Sequence, residues 1–460
     1  MQRSRLLANQ ILWTSLLFQI ALYAQAAPPV IQYQLDNGLK VVLQEDHRAP
    51  VISVEVWYGV GGIDEPTGLT GVSHALEHMM LKGSKQVAPG QFDSILNHLG
   101  ASNNAYTSND YTAYVSSMPN NRLPVILALE ADRMRGASIS EKEFQSEHQV
   151  ILEEWRNSYL DNPQRFLWEH FQALAYPVSP YRQPVLGWPE DIKALSSQKL
   201  KPWYDTWYHP NNASLIIVGD INPDKAKSQI SQYFDGIPSK PLPARTPLND
   251  LKAPGKRSIT VQHPQAATPS FIMGFNVPVI NPVSLQNPTP DDWEPYALRM
   301  LAAVLDEGYS ARLESELIRQ KELAAHIFID YTPFSRGDTL LSFTGSPNTS
   351  KAIKSEQVVN ALWQIINDIK QKPPAASELQ RALSQIKAQD IFQQDDITNR
   401  SFLLGLFTTL GLPGNWLSQY HQKLGRVTPE QIQKVAQKYL TPARLTTAYL
   451  MPEPAGKNYE

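Results

Sequence analysis

The sequence predicts an α+β fold of two similar halves, and three observations carry that expectation. Alternating strand-like runs, interleaved with helical runs, occur in both halves of the 460 residues. Five prolines (238, 241, 243, 247 and 254) break up residues 236–256, as an extended linker would. At an offset of 232, LKPWYDTWYHP overlays IQKVAQKYLTP: Leu200 falls on Ile432, Trp203 on Val435, Trp207 on Tyr439 and Pro210 on Pro442, each stretch leading into a strand-like run. Two unrelated helices that both stop at a proline would give the same overlay, so the duplication stands as an expectation.

In chain order, residues 1–26 carry Arg3 and Arg5, an apolar stretch from Ile11 to Leu22 and the triplet Ala24-Gln25-Ala26, the layout of a secretory signal cleaved near Ala26. Thr14 and Gln19 interrupt a stretch already short of the about 20 apolar residues a membrane span needs, so no stable span is expected. Two alternating runs flank Asn37-Gly38, a hairpin signal, and residues 51–61 read as a third strand. Val72, Ala75, Leu76 and Met79 recur at helical spacing, with Gly83 as the expected C-cap. A strand over 111–118, helices over 123–135 and 140–160, and a strand over 213–221 complete the first unit. The expected division is a signal over 1–26, a first domain over 27–235, a linker over 236–256 and a second domain over 257–460.

A formal charge of −3 and a pI near 6.4, with no run of like charge, argue against a nucleic-acid partner. With no cysteine, the chain has neither a disulfide framework nor a lipid-acceptor thiol. The expected location is therefore an exported, periplasmic compartment.

Residues 71–83, GVSHALEHMMLKG, place His74 and His78 four apart on the predicted helix, where side chains share a face with Cβ atoms about 6 Å apart. Both imidazoles can reach one ion, and Glu77 stands beside them as a base. A catalytic zinc needs a third protein ligand and an open position. EFQSEHQVILEEW supplies an acidic face: Glu147 and Glu154 are seven apart, two helical turns, while Glu153 points elsewhere. Glu154 can serve as the third ligand, and Glu147 can accept from a ligating imidazole's other nitrogen. One motif alone would equally describe two histidines on a surface helix, or solvated acids; the pairing points to a metal.

HALEH is the inverted zinc motif HxxEH, followed 76 residues later by the glutamate of VILEEW. With LNHLGASNNAYTSNDYTAY, SPYRQPVLGWPEDI, YHPNNASLIIVGD and VTPEQIQKVAQKYLTP in order, the chain resembles the insulinase/pitrilysin family of zinc metallopeptidases, in its processing-peptidase-like branch. The resemblance implies two homologous α/β domains forming one half of a clam-shaped chamber. It implies one zinc per chain on His74, His78 and Glu154, Glu77 as base and Glu147 as supporting acid. Asn104 and Ala105 would receive an extended peptide substrate as an added strand. An arginine and, seven residues on, a tyrosine normally steady the substrate carbonyl in this family; here Arg319 is followed by His326. Either His326 donates the hydrogen bond, or a paralogous subunit lacking the zinc motif supplies the complete pair in a heterodimer; a homodimer is the other arrangement. The expected activity is hydrolysis of short or unfolded polypeptides. Two rivals keep parts of this reading, a non-catalytic partner subunit and an exported two-lobed binding protein.

Overall fold

The computed structural model describes residues 29–453 apart from 246, 247, 249 and 286; the expected signal over 1–26 lies outside the described residues. Strands β1 (Ile31–Gln34) and β2 (Lys40–Glu45) form the hairpin about Asn37-Gly38, whose Gly38 has φ +89°. Next come β3 (Val51–Tyr58), α1 (Val72–Met80), α2 (Gln91–His98), β4 (Ser102–Thr107), β5 (Thr112–Pro119), α3 (Leu123–Gly136) and α4 (Glu141–Tyr159). Helices α5 (Pro163–Ala175), α6 (Pro189–Lys193) and α7 (Ser197–Trp207), strand β6 (Ala213–Gly219) and α8 (Pro223–Phe234) close the first half. The second half runs β7 (Arg257–His263), β8 (Ser270–Val277), α9 (Glu294–Asp306), β9 (Ala324–Asp330), β10 (Thr339–Pro347), α10 (Ser355–Gln371), α11 (Ala376–Gln393), α12 (Ile397–Leu410), α13 (Trp416–Leu424), α14 (Pro429–Tyr439) and β11 (Leu445–Pro452).

The first sheet has the order β1-β2-β6-β3-β5-β4 and the second β7-β11-β8-β10-β9. Removing β1 makes them the same topology, down to the single parallel pair in each, β2 with β6 and β7 with β11. The offset of 232 separates the starts of α7 and α14 and also those of β6 and β11. The expected duplication is therefore present in the backbone.

Helix α4 starts where Ser140 accepts from the Glu143 amide, a cap that spares one of the orphan donors at a helix start. One expectation fails at the end of α1. The helix stops at Met80 with Leu81 as C-cap, and Gly83 lies beyond it at φ +149°, where a Cβ would run into the Val87 carbonyl at 2.8 Å. Gly83 serves the turn after the helix, not its cap.

The two halves exchange helices. Helix α5 of the first packs on β7, β8 and β11 of the second, and α12 of the second packs on β3 and β6 of the first. Phe171 of α5 presses on Gly274, where a Cβ would stand 2.5 Å from its ring, and Gly405 of α12 lies against the Trp57 ring. Trp57, Ile216 and Val218 accordingly belong to an apolar cluster that continues through the second half, while Leu167, Phe171 and Ala175 share one with Ile272, Ala448 and Leu450. Buried Glu55 on β3 adds a polar tie, accepting from Trp57 Nε1 at 2.7 Å and from Ser401 Oγ of α12.

Candidate metal centre

Helix α1 turns Val72, Ala75, Leu76 and Met79 into the core, all of them fully buried, and this sets the direction of its other face. Its start is held by Glu65, whose two carboxylate oxygens accept from the amides of Gly71 and Ser73 at 2.7 Å each. These are donors that a helix start leaves without partners. Gly71 takes φ +84°, a backbone conformation suited to glycine. Burial pushes the Glu65 carboxyl up to about 8, against the pull of those two amides. From α7, Trp203 Nε1 donates to Ser73 Oγ at 3.1 Å.

Helix α4 packs against this face. One ligand-type atom from each of His74, His78 and Glu154 lies within 4.8 Å of the other two. The two imidazole Nε2 atoms are 3.3 Å apart; Glu154 Oε2 lies 3.3 Å from His78 Nε2, and Oε1 lies 3.6 Å from His74 Nε2. His74 is 6% exposed, whereas the Glu154 side chain is 41% exposed, so the cluster opens to solvent on the α4 side.

His78 Nδ1 lies 2.8 Å from Glu147 Oε1, and Glu147 Oε2 lies 2.5 Å from Lys82 Nζ. A neutral His78 that donates from Nδ1 directs the lone pair of Nε2 at the centre of the cluster. Among the described residues, His74 Nδ1 is buried without a hydrogen-bond partner. Burial alone would lower the His78 pKa, but Glu147, Glu154 and Glu77 outweigh it and raise it to about 9. Bonds from His74 and His78 hold the Glu154 carboxyl far below the ordinary carboxylate range. The negative field that draws a proton to His78 would equally draw a metal cation.

Glu77 is 8% exposed, and its Oε2 accepts from Thr107 Oγ1 of β4 at 2.6 Å. Glu153 points away, to Arg156 at 2.7 Å. Asn104 and Ala105 lie on β4, the edge strand, where Asn104 Oδ1 accepts from the Ala105 amide at 2.9 Å. Arg319 lies in a π-helical turn, Glu314–Gln320, stacked 3.8 Å from the Tyr309 ring centroid and donating to the Tyr309 carbonyl at 2.9 Å. His326 is exposed on β9, the edge of the second sheet. Among the described residues, no hydrogen bond or ion pair joins Arg319 to His326, or either of them to the histidine cluster. Sequence reasoning missed Glu65, Lys82 and Thr107. Lys82 stands one turn beyond His78 and was within reach of that spacing; Glu65 and Thr107 lie outside the helix and carry no such signal.

Two family descriptions match in tandem, "Insulinase (Peptidase family M16)" over residues 40–188 and "Peptidase M16 inactive domain" over 194–386. The chain belongs to peptidase family M16. Among M16 relatives it is 28% identical to the zinc protease PqqE of Helicobacter pylori, over 91% of this chain and 92% of that one. It is 32% identical to the probable zinc protease PqqL of Escherichia coli, but over only 49% of this chain and 25% of that protein. The crystal structure of a protease from Helicobacter pylori superposes with a TM-score of 0.85 at 27% identity, covering 93% of this chain and all of the other. The periplasmic protease PqqL of Escherichia coli gives a TM-score of 0.74 at 19% identity, this M16 chain spanning 48% of it. The two-sheet architecture is thus the M16 fold, and the relatives' names place the chain in a family of zinc proteases.

Proposed function

We propose that this chain is a zinc-dependent endopeptidase that hydrolyses short or unfolded polypeptides. The observation that carries the reading is the convergence of His74, His78 and Glu154 from two helices, with the Glu77 carboxylate beside them. Zinc–nitrogen bonds of about 2.0–2.1 Å at tetrahedral angles put ligand atoms about 3.3–3.4 Å apart, and the two Nε2 atoms are 3.3 Å apart. Two imidazoles and one carboxylate, with the partnerless His74 Nδ1 behind them, fit zinc as a donor set. Bound there, zinc would supply Lewis acidity toward a scissile carbonyl and toward water.

His74, His78 and Glu154 hold the ion; Glu147, itself held by Lys82, fixes the ring of His78. Glu77 takes the proton from the attacking water and passes it to the leaving amine nitrogen. The unpaired side of β4 receives the substrate as an added strand, with Asn104 and Ala105 at the contact. Such pairing needs an extended peptide, which excludes folded proteins. Arg319 and His326 would act across a chamber closed by a second chain, either a paralogue carrying a complete arginine-tyrosine pair or another copy. We assign the chain to an exported, periplasmic location on the strength of residues 1–26; among the described residues, no helix is long and apolar enough to cross a membrane.

The test is metal analysis of the purified protein with a peptide-library digest, with and without chelator, for the parent and Glu77→Gln. The expected result is one zinc per chain in both proteins, with cleavage reduced about 10²–10⁴-fold in the variant. Equal cleavage by the two removes Glu77 as base, and a metal-free parent removes the whole reading.

A further inference from the structure

Beyond the ligands and the base, one side chain from the first sheet reaches into the site. Thr107 is the last residue of β4, paired with Thr112 at the β4–β5 turn. That turn is fixed from both sides: the Ser108 amide donates to the Tyr111 carbonyl at 2.8 Å, and Thr112 Oγ1 donates to the Val60 carbonyl at 3.0 Å. From this anchored position Thr107 Oγ1 lies 2.6 Å from Glu77 Oε2. A carboxylate only accepts, so the threonine hydroxyl must donate.

The terminal torsion of a glutamate is broad and roughly two-fold, so an unrestrained Glu77 carboxylate would present either oxygen over a range of directions. We infer that Thr107 is a positioning residue for Glu77: its hydroxyl holds Oε2 and leaves Oε1 as the oxygen that receives a proton. This rests on the peptidase reading above. Thr107 lies three residues from Asn104 on the strand proposed to pair with substrate, so a peptide docked on β4 bears on the element that orients the base. A misplacement of about 1 Å in such a site costs roughly 100-fold in rate.

The experiment compares the parent, Thr107→Val, Thr107→Ser and Glu77→Gln in kcat, KM and zinc content, with crystal structures of zinc-loaded parent and Thr107→Val. Valine keeps the shape and the β-branch of threonine while removing the donor, and serine restores it. The expected result is a fall in kcat of roughly 10–100-fold for Thr107→Val, with KM and zinc content unchanged, recovery in Thr107→Ser, and a rotated Glu77 carboxylate in the crystal. Parent-like kcat in Thr107→Val, or a loss of zinc or a rise in KM in step with activity, overturns the inference. If the parent cuts no peptide, the peptidase reading fails, and the crystal comparison decides alone: an unmoved Glu77 carboxylate overturns the positioning role.

Discussion

The two halves share a sheet topology and a helix order, yet among the described residues only the first gathers a group of side chains able to hold a metal ion. In the first half α1 packs on α4 and α7; in the second, α9 packs on α11 and α14. Counted from the helix starts, Glu147 and Glu154 of α4 correspond to Ala382 and Gln389 of α11, and α9 carries no histidine. Instead α9 buries Leu298, Leu301, Val304 and Leu305 completely. The apolar pattern that builds the layers is common to both halves, and the site is a small polar substitution on one of them. One sheet-and-helix topology is used twice in this M16 chain, once with His74, Glu77, His78 and Glu154 at its centre and once without.

The comparison is sharpened most by making the first half resemble the second. Glu154→Gln installs the residue type found at 389 and removes the anionic member of the proposed ligand set, so bound metal should fall from one per chain toward none and peptide cleavage with it. Atomic absorption after dialysis against a weak chelator reads the metal. Full retention of metal would break the assignment of Glu154.

The next largest effect concerns the exchanged helices. Phe171→Ala empties the contact over Gly274, at a cost of about 3–5 kcal/mol for a buried aromatic. Because α5 belongs in sequence to the first half and packs on the second, one unfolding transition should move for both. Two separated transitions in a denaturant melt would show that the halves unfold independently.

The smallest effect is on pH. Burial pushes the Glu55 carboxyl up to about 7, against donors that include Ser401 of the other half. Between the usual carboxylate value near 4.3 and about 7, the folded protein holds a proton that the unfolded chain releases. Its contribution is therefore full at low pH and is lost as pH rises through about 7. Glu55→Gln should flatten that decline, a difference of about 1–3 kcal/mol across the window, measured by thermal melts at pH 5 and pH 8. An unchanged slope would place the ionisation elsewhere.

Much of this molecule was legible one element at a time. The Asn37-Gly38 hairpin, the stripe of α1 and the strand expected over 213–221, found over 213–219, follow from local chemistry: positive φ at a glycine, a 3.6-residue period and β-branched runs. Gly83 was misread because a glycine just past a helix serves a cap or a following turn with the same residue, and only the Val87 carbonyl beside it distinguishes them. Local spacing also placed His74, Glu77 and His78 together, since a helix brings residues i and i+4 to one face whatever surrounds it. The sequence by itself thus determined the element types and one side of the candidate site. Glu154 entered from the sequence only through its pairing with HxxEH and the family resemblance, and tertiary structure brings it to those histidines. Tertiary structure alone decided that Lys82, Glu65 and Thr107 support them, and that α5 and α12 change places between halves. Apart from Glu65, whose partners Gly71 and Ser73 are 6 and 8 residues away, those contacts join residues tens to hundreds apart, and they depend on which packing buries the most apolar surface, a quantity that no local pattern records.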